Sequence, residues 1–474
     1  MAFESGLRTV HTEGAALQED KEHSETLEAC QVAKDWDPPP SPHEFPEGGL
    51  TAWATAFGAF LVQFCGFGYT ASFGVYQDFY TQHYLTNETS SAISWIGSTN
   101  AFLMTAMGLV SGSLHDRGYF YYLVIVGSCL QSFSLFMLSW SKPDQYYQIF
   151  FSQGLGLGIA SGLMYIPTMA IISHHFRRRR TLVMTFVATG SSLGAIIHPI
   201  MLNNLFNGPL GFANGVRASA GLISSCLLTA CLCMRTRLDL PAKPVNYCAT
   251  ARKCMCDVPF ILLVAGAFLF QLGFYYPLFF FQLDSIKHGI SVNFSFYSLV
   301  ILNGSNCIGR VTSGFIAGFT GVPNLTIISS ILCGVLIFGM IGLSSLASVV
   351  VLGVLYGYSS GLNTAMAAPL MTTLTPELSE LGRVIIYVRM YEPSYLDHSA
   401  RMGILVSFLA SILTLYPGTP ISGALLTSNF TWWIPGLFSG IASLAGAVMF
   451  IIMRYMFLRR QRVDGLLLGN QAVR

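Results

Sequence analysis

The chain has 474 residues, of which 53% are hydrophobic and only 10% are charged. A soluble protein would carry roughly a quarter of charged residues, so this composition is typical of a membrane protein. The formal net charge of +2 lacks the basic excess of a nucleic-acid-binding protein, and we predict no nucleic-acid partner.

The chain begins with an acidic segment that differs in composition from the rest of the sequence. Residues 1–49 contain 11 acidic and 3 basic side chains, and the proline-rich stretch DPPPSP occupies 37–42. Such a composition predicts a disordered, cytoplasmic tail over 1–45. The segment lacks the apolar core of a signal peptide, so we expect the first apolar run to direct membrane insertion.

Twelve apolar runs come after this segment, each close to the about 20 residues that a membrane-spanning helix needs. They cover residues 50–75, 90–113, 120–140, 146–172, 181–203, 213–234, 258–281, 295–317, 324–342, 346–370, 403–426 and 431–456. A polar linker at 235–257 separates six runs in 46–234 from six in 258–456, and residues 457–474 form a cytoplasmic tail. We predict an all-α membrane protein whose twelve transmembrane helices form two pseudo-symmetric halves of six.

The placement of basic residues predicts the orientation, because Lys and Arg accumulate in cytoplasmic loops. With both termini in the cytoplasm, 18 of the 25 basic residues lie in cytoplasmic loops or the C-terminal tail. The outside loops hold 3, which are Lys142, Arg217 and Lys287, and the N-terminal tail holds another 3. We therefore expect a multi-pass protein with both termini cytoplasmic, and we favour the plasma membrane over vacuolar or other internal membranes.

The chain also repeats itself. The motif GIASGL (158–163) recurs as GYSSGL (357–362), an offset of 199 residues from 158 to 357. The motif SGSLHDRG (111–118) recurs loosely as SGFIAGFTG (313–321), an offset of 202 residues from 111 to 313. These offsets indicate a duplicated six-helix unit. Repeats of this kind, with a ligand site between the halves near the membrane midplane, are typical of transporters.

The predicted eighth span carries one charged residue, Arg310. Asn303, Asn306, Arg310 and Ser313 are spaced i, i+3, i+7 and i+10, which places them on one helix face. A charged residue within a span normally faces the bundle interior or a water-filled cavity, so we predict that Arg310 binds the substrate. In the alternative, its long side chain reaches the cytoplasmic interface, about 10 Å away along the helix.

Other polar residues within apolar runs are candidates for the same site. Those that we predict to bind substrate beside Asn303, Asn306 and Arg310 are Tyr165, Gln271, Tyr275 and Asn363. Each could instead form a helix–helix hydrogen bond, since buried polar groups need partners.

The sequence offers one candidate for a proton site. No Asp or Glu lies in the middle of a predicted span, whereas His198 lies in the fifth span before Pro199. Imidazole is the side chain whose charge normally changes near neutral pH. Alternatively, His198 caps carbonyl groups that the proline leaves without a donor.

The sequence predicts neither an enzyme nor a metal centre. It lacks the HExxH motif, and no histidine accompanies Cys248, Cys254 and Cys256 in the linker. We expect no cofactor. The leading interpretation is a secondary transporter, active or facilitative, of a small organic anion or metabolite. The alternative is a transport-inactive membrane sensor or a degenerate copy of a transporter.

Four stretches resemble a known family. GSLHDRG (112–118) resembles the loop signature of the major facilitator superfamily. PEGGLTAW (46–53), HHFRRRRTLVMTFVATGSSLG (174–194) and NGSNCIGRVTSGFIA (303–317) resemble its monocarboxylate-porter branch, in the fungal form. The resemblance covers about residues 46–456. It implies alternating-access transport of small organic solutes, often carboxylates together with a proton. Fungal relatives are more varied and include proteins for riboflavin uptake and for the export of secondary metabolites.

The resemblance also implies gating residues, which here are Gly112, Asp116, Arg117 and Gly118. The sequence departs from the carboxylate carriers of animals at two positions. Ala71 stands where they have a lysine, and Asn306 stands where they have an aspartate. These differences argue against proton-coupled transport of the lactate type.

One segment interrupts the resemblance. The 17 residues VIIYVRMYEPSYLDHSA (384–400, 400 − 384 + 1) separate ELSELGR from RMGILVS, which are almost adjacent in the family. We predict an insertion outside the helix bundle, either a retained intron or a lineage-specific surface loop.

Overall fold

The computed structural model describes residues 48–176, 179–237, 258–287, 291–343, 345–374 and 433–471. The acidic tail at 1–45, the insertion at 384–400, the predicted span at 403–426 and most of the linker at 235–257 lie outside these residues.

The described residues form a bundle of helices. In the first half they are α1 (Leu50–Tyr84), α2 (Ser90–Asp116), α3 (Phe120–Leu138), α4 (Tyr146–His174), α5 (Arg180–Phe206) and α6 (Gly211–Cys233). In the second half they are α7 (Val258–Lys287), α8 (Val292–Thr320), α9 (Val322–Gly342), α10 (Leu346–Leu374) and α11 (Trp433–Gln471). Helix α11 covers residues 433–456 of the predicted twelfth span and continues through most of the predicted tail.

Ten of the described helices are long and apolar enough to cross a membrane. Helix α8 is not among them, although it has 29 residues, because Asn303, Asn306 and Arg310 lower its hydropathy. The predicted all-helical, multi-pass architecture is confirmed. The candidate site therefore lies on a long helix that is not among these ten.

Helix α3 shows how the bundle matches a bilayer. Its 19 residues span about 28 Å, close to the about 30 Å of a hydrocarbon core. Tyr122 at its beginning is 71% exposed, and Trp140, just after its end, is 67% exposed. Aromatic side chains favour the two membrane–water interfaces, so both ends of α3 are placed to reach one.

Helix α1 is not continuous. Its first segment, Leu50–Cys65, ends at Gly66, whose φ of −84° and ψ of −92° are not helical, and a second segment covers Phe67–Thr70. In α4, a π-helical turn occupies Phe150–Gly156. Irregular turns of this kind often occur at functional sites, and discontinuous helices often border the ligand site of a transporter.

The repeated glycines pack two helices of the first half together. A Cβ atom added to Gly158 of α4 would lie 2.9 Å from Asn100 O of α2. A Cβ atom added to Gly162 would lie 2.6 Å from Met104 O. Both distances are too short for a side chain, so the two glycines let the backbones of α2 and α4 touch.

The second half repeats this contact between α8 and α10. A Cβ atom added to Gly357 would lie 2.3 Å from Leu302 O, and one added to Gly361 would lie 2.2 Å from Asn306 O. These glycines lie 199 residues after their counterparts, and the carbonyl residues lie 202 residues after theirs. The offsets are those of the two sequence motifs, so the duplicated unit is visible in the packing.

Each half has its own apolar core, and α4 links the two. Ile166 of α4 belongs to the core of the second half, whereas Ala368 of α10 packs against the core of the first. Tyr165 packs against both cores. The candidate site lies beside this junction.

Candidate substrate-binding site

Helices α5 and α8 meet along what we call the α5–α8 seam, formed by Leu182, Thr185, Ala188, Ser191 and Ser192 of α5 with Asn306, Arg310 and Gly314 of α8. A Cβ atom added to Gly314 would lie 2.5 Å from Thr185 Oγ1 and 3.0 Å from Leu182 Cα. The seam therefore brings the two halves into direct contact, and Arg310 lies within it.

The guanidinium of Arg310 makes three hydrogen bonds. Its Nε donates to Asn306 Oδ1 at 2.8 Å, within α8. Its Nη1 donates to Ala188 O at 2.7 Å and to Ser191 Oγ at 2.6 Å, both on α5. The side chain is directed across the seam into the bundle, as expected of a charged group that avoids lipid.

All three acceptors are neutral. Within the described residues Arg310 makes no ion pair, and its Nη2 has no hydrogen-bond partner there. The side chain is only partly buried. A charge without a counter-charge costs at least about 2.5–3.5 kcal/mol at the centre of a membrane span, and hydrogen bonds to neutral groups offset part of that cost. An anionic ligand at Nη2 would supply the missing charge.

Asn306 holds the arginine in place. Its Oδ1 accepts from Arg310 Nε and from Ser192 Oγ at 2.7 Å, and its Nδ2 donates to Ser360 Oγ at 2.8 Å. Its side chain is 5% exposed. Both ends of the amide are engaged, which an aspartate could not reproduce because a carboxylate cannot donate to Ser360. Asn306 is therefore a supporting residue in this arrangement.

Two of the predicted tyrosines lie near the arginine. Tyr165 of α4 and Tyr275 of α7 are close enough for their phenol groups to interact with the charge of Arg310. They also interact with each other. Residues from both halves thus converge on one place, although they are 145 and 35 residues from Arg310 in sequence (310 − 165 and 310 − 275).

Phe67 joins this group, although the sequence did not lead us to predict it. Its ring packs edge-on against Tyr165 with 4.8 Å between ring centroids. Phe67 comes directly after the break in α1 at Gly66. A signal was available, because the flanking glycines in Gly66–Phe67–Gly68 suggest an irregular helix, and such helices border transporter sites.

Gln271 lies one turn before Tyr275 on α7. Residues four apart in a helix share a face, so Gln271 is oriented toward the same region as Tyr275. Its side chain is partly buried, and it makes no hydrogen bond to any described residue. Its amide is therefore a donor and acceptor that a ligand can use.

Two other predicted residues are engaged elsewhere. Asn303 donates to Leu299 O of its own helix at 3.0 Å. Asn363 donates to Ser330 Oγ at 2.7 Å and to Ser329 Oγ at 3.2 Å, which ties α10 to α9 within the second half. The geometry of Asn363 is that of a helix–helix hydrogen bond, the alternative to ligand binding.

His198 lies in the core of the first half. It is completely buried, and its Nε2 lies 3.2 Å from Phe64 O of α1. Its ring contacts the rings of Phe64 and Tyr69, with centroids 4.5 and 5.2 Å away. The histidine thus bonds a carbonyl beside the break in α1, and not one that Pro199 leaves free. This position is separate from Arg310.

The predicted gating motif forms a tight turn. Helix α2 ends at Asp116, Gly118 has φ of +87° and α3 begins at Phe120. Gly118 donates from its backbone N–H to His115 O at 2.9 Å, as glycine does when it ends a helix in the left-handed conformation. Asp116 is therefore the last residue of a helix.

Comparisons with known proteins agree with this architecture. The sequence pattern described as Major Facilitator Superfamily matches residues 55–393. The chain belongs to the major facilitator superfamily. It is 32% identical to the aspyridones efflux protein apdF of Emericella nidulans over 414 residues, which are 87% of this chain and 80% of that protein. It is 34% identical to the agnestins efflux protein AgnL12 of Paecilomyces divaricatus over 397 residues, 84% of this chain and 86% of the relative.

Solved structures share the fold at low sequence identity. The proton:xylose symporter XylE superimposes with a TM-score of 0.62 at 14% identity, over 83% of this chain and 94% of the symporter. The nucleoside transporter NupG gives a TM-score of 0.58 at 13% identity, over 85% of this chain and 99% of that transporter. The superfamily prediction is confirmed, and the protein is a membrane transporter of small molecules. Membership of the monocarboxylate-porter branch stays a prediction.

Proposed function

We propose that this protein exports a fungal secondary metabolite that carries an anionic or strongly hydrogen-bond-accepting group. Relatives that cover most of the chain are named for the efflux of aspyridones and agnestins, which supports the direction and the class of substrate. The observation that carries the proposal is the partly buried Arg310, whose bonds within the described residues go only to neutral acceptors.

The chemistry of the site suggests how such a molecule binds. Its acceptor group takes Nη2 of Arg310, because a guanidinium can present two parallel N–H groups to a carboxylate or an enolate. A planar part of the molecule packs on Phe67 and Tyr165, whose rings already contact each other. Tyr275 and Gln271 then offer hydrogen bonds from α7.

We assign the mechanism as alternating access, with the ligand bound where the two halves meet. We place both termini in the cytoplasm on the 18-to-3 distribution of basic residues, and the protein in the plasma membrane, where an exporter acts. The entry motif at 46–53 and the loop at 174–194 support membership of the monocarboxylate-porter branch. The charge of the ligand then takes the place of the aspartate that the carriers of animals have at the position of Asn306.

Two measurements test this proposal. Untargeted comparison of metabolites inside and outside cells, with and without the gene, should show one or a few acidic compounds retained when the gene is absent. Purified protein in liposomes should then catalyse counterflow of the labelled compound. An unchanged metabolite profile together with absent counterflow would favour the transport-inactive sensor instead.

A further inference from the structure

Among the described residues, the contacts between the two halves extend from the middle of the bundle toward one end. Along the α5–α8 seam, Gly314 approaches Leu182 near the beginning of α5 and the end of α8. The second junction, where Ile166 belongs to the core of the second half and Ala368 packs against the core of the first, lies in the latter parts of α4 and α10. The proposed orientation makes this the cytoplasmic end. Transport by alternating access requires these contacts to separate.

Arg310 contributes the charge-assisted hydrogen bonds of this seam. Its Nη1 donates across the seam to Ala188 O and to Ser191 Oγ. The Ser191 hydroxyl donates its own proton to Ala188 O at 3.0 Å, which leaves an oxygen lone pair for the guanidinium. Ser191 is 9% exposed, so water competes weakly for this bond.

We propose that Ser191 is a positioning residue that makes Arg310 the latch of the α5–α8 seam. It fixes Nη1 on α5 and thereby leaves Nη2 for the ligand. The inference rests on the proposed function, in which Arg310 contacts the substrate and the seam opens to the cytoplasm. A ligand that draws the guanidinium toward itself would weaken the hydrogen bonds from Nη1 to α5 that close the seam. Ligand binding would thereby favour opening of the seam.

The latch predicts a specific effect of removing one hydroxyl. Ser191→Ala deletes one of the two acceptors that hold Nη1 on α5 and leaves the arginine itself in place. Because a hydrogen bond to a charged group is stronger than a neutral one, we expect the ratio of closed to open seam to fall at least about tenfold.

A disulfide across the seam measures this ratio. A cysteine Cβ at position 314 would lie 3.6 Å from Leu182 Cβ, within the range that disulfides require, and 3.0 Å from Leu182 Cα, so the α5–α8 seam must widen by a few tenths of an ångström to admit it. The test protein is the full chain with Leu182→Cys and Gly314→Cys. It also carries Thr185→Ala, because the Thr185 hydroxyl would lie 2.5 Å from the new Cβ. A protease site in the linker at 235–257 lets a denaturing gel show whether the halves are joined.

The assay uses purified protein without substrate, with the rate of oxidation as the readout. The double-cysteine parent should crosslink rapidly, and each single-cysteine protein reports the background from native cysteines. The crosslinking rate follows the fraction of protein with a closed seam, so Ser191→Ala should slow crosslinking by up to the factor by which the ratio falls, and Arg310→Gln should slow it further. The matched control is Thr189→Ala, on the same helix, since its buried hydroxyl donates to Phe186 O and makes no other hydrogen bond to a described residue.

Each result is decisive. A merely structural role for Ser191 would lower the melting temperature below that of Thr189→Ala without a selective change in crosslinking. Equal rates in Ser191→Ala and the parent would refute the latch, and no crosslink in the parent would refute the closed seam. A protein that crosslinks as expected but moves no metabolite would refute the proposed function and leave the latch standing.

Discussion

Replacing Arg310 separates the two explanations for a charge in α8. In Arg310→Lys the charge remains, but one ammonium group must replace Nε and Nη1, which bond to different helices. Lysine should therefore keep contact with α8 or with α5, and should lose the planar fork for the ligand. A lost hydrogen bond between the charged side chain and the ligand costs about 1.5–3 kcal/mol, so the affinity for the exported metabolite should fall at least about tenfold. Arg310→Leu should lose transport altogether.

The assay compares surface expression with transport for both variants. Fluorescently tagged proteins report the amount at the membrane, and inside-out vesicles report uptake of the metabolite that cells without the gene retain. Reduced transport at normal expression supports direct binding. If the side chain merely reached the membrane interface, lysine would replace it fully, and leucine would change insertion more than affinity. Full transport by Arg310→Lys contradicts the fork, and full transport by Arg310→Leu contradicts any direct role.

Three further changes test other parts of the structure. Gly361→Ala should destabilise the protein by about 1–3 kcal/mol or more in a thermal-shift assay, because its Cβ would lie 2.2 Å from Asn306 O. The control Gly221→Ala places its Cβ in open space and should be neutral or stabilising in the same assay. Asn306→Asp should form an ion pair with Arg310 and lose the hydrogen bond that Asn306 donates to Ser360. Transport of an anion should therefore fall at normal expression. Unchanged anion transport would show that the ligand does not need the unpaired charge of Arg310. Asp116→Ala should keep expression and reduce transport in vesicles, and unchanged transport would remove Asp116 from the gating residues.

The sequence alone was sufficient for features that depend on the composition or spacing of one stretch of chain. The helices could be predicted because about 20 consecutive apolar residues have few other stable structures in a membrane. The polar surroundings of Arg310 could be predicted because a single charge in an apolar run needs a polar environment, and its role in binding stays a prediction. The repeated glycines could be read as a duplication because the same backbone contact requires the same missing Cβ in both halves.

The partners of each polar group could not be read in this way. Asn363 and Gln271 look alike in sequence, yet the first is bonded to α9 and the second makes no bond to a described residue. The difference depends on how the helices are rotated, which the spacing along one chain does not determine. Ser191 was missed because serine in an apolar helix usually bonds its own backbone, and its contact with Arg310 exists only across the seam.

The duplication also shows why the ligand charge should lie on one side of the bundle. The offset of 202 residues pairs Asn306 with Met104 (306 − 202) and Arg310 with Gly108 (310 − 202). The packing carbonyls of Met104 and Asn306 are equivalent, so the helix backbones have kept the repeat while the side chains have diverged. Helix α8 therefore carries a positive charge that α2 lacks at the equivalent place. An anionic group held between the halves should approach α8, and the less polar remainder of the substrate should extend toward Phe67 and the first half.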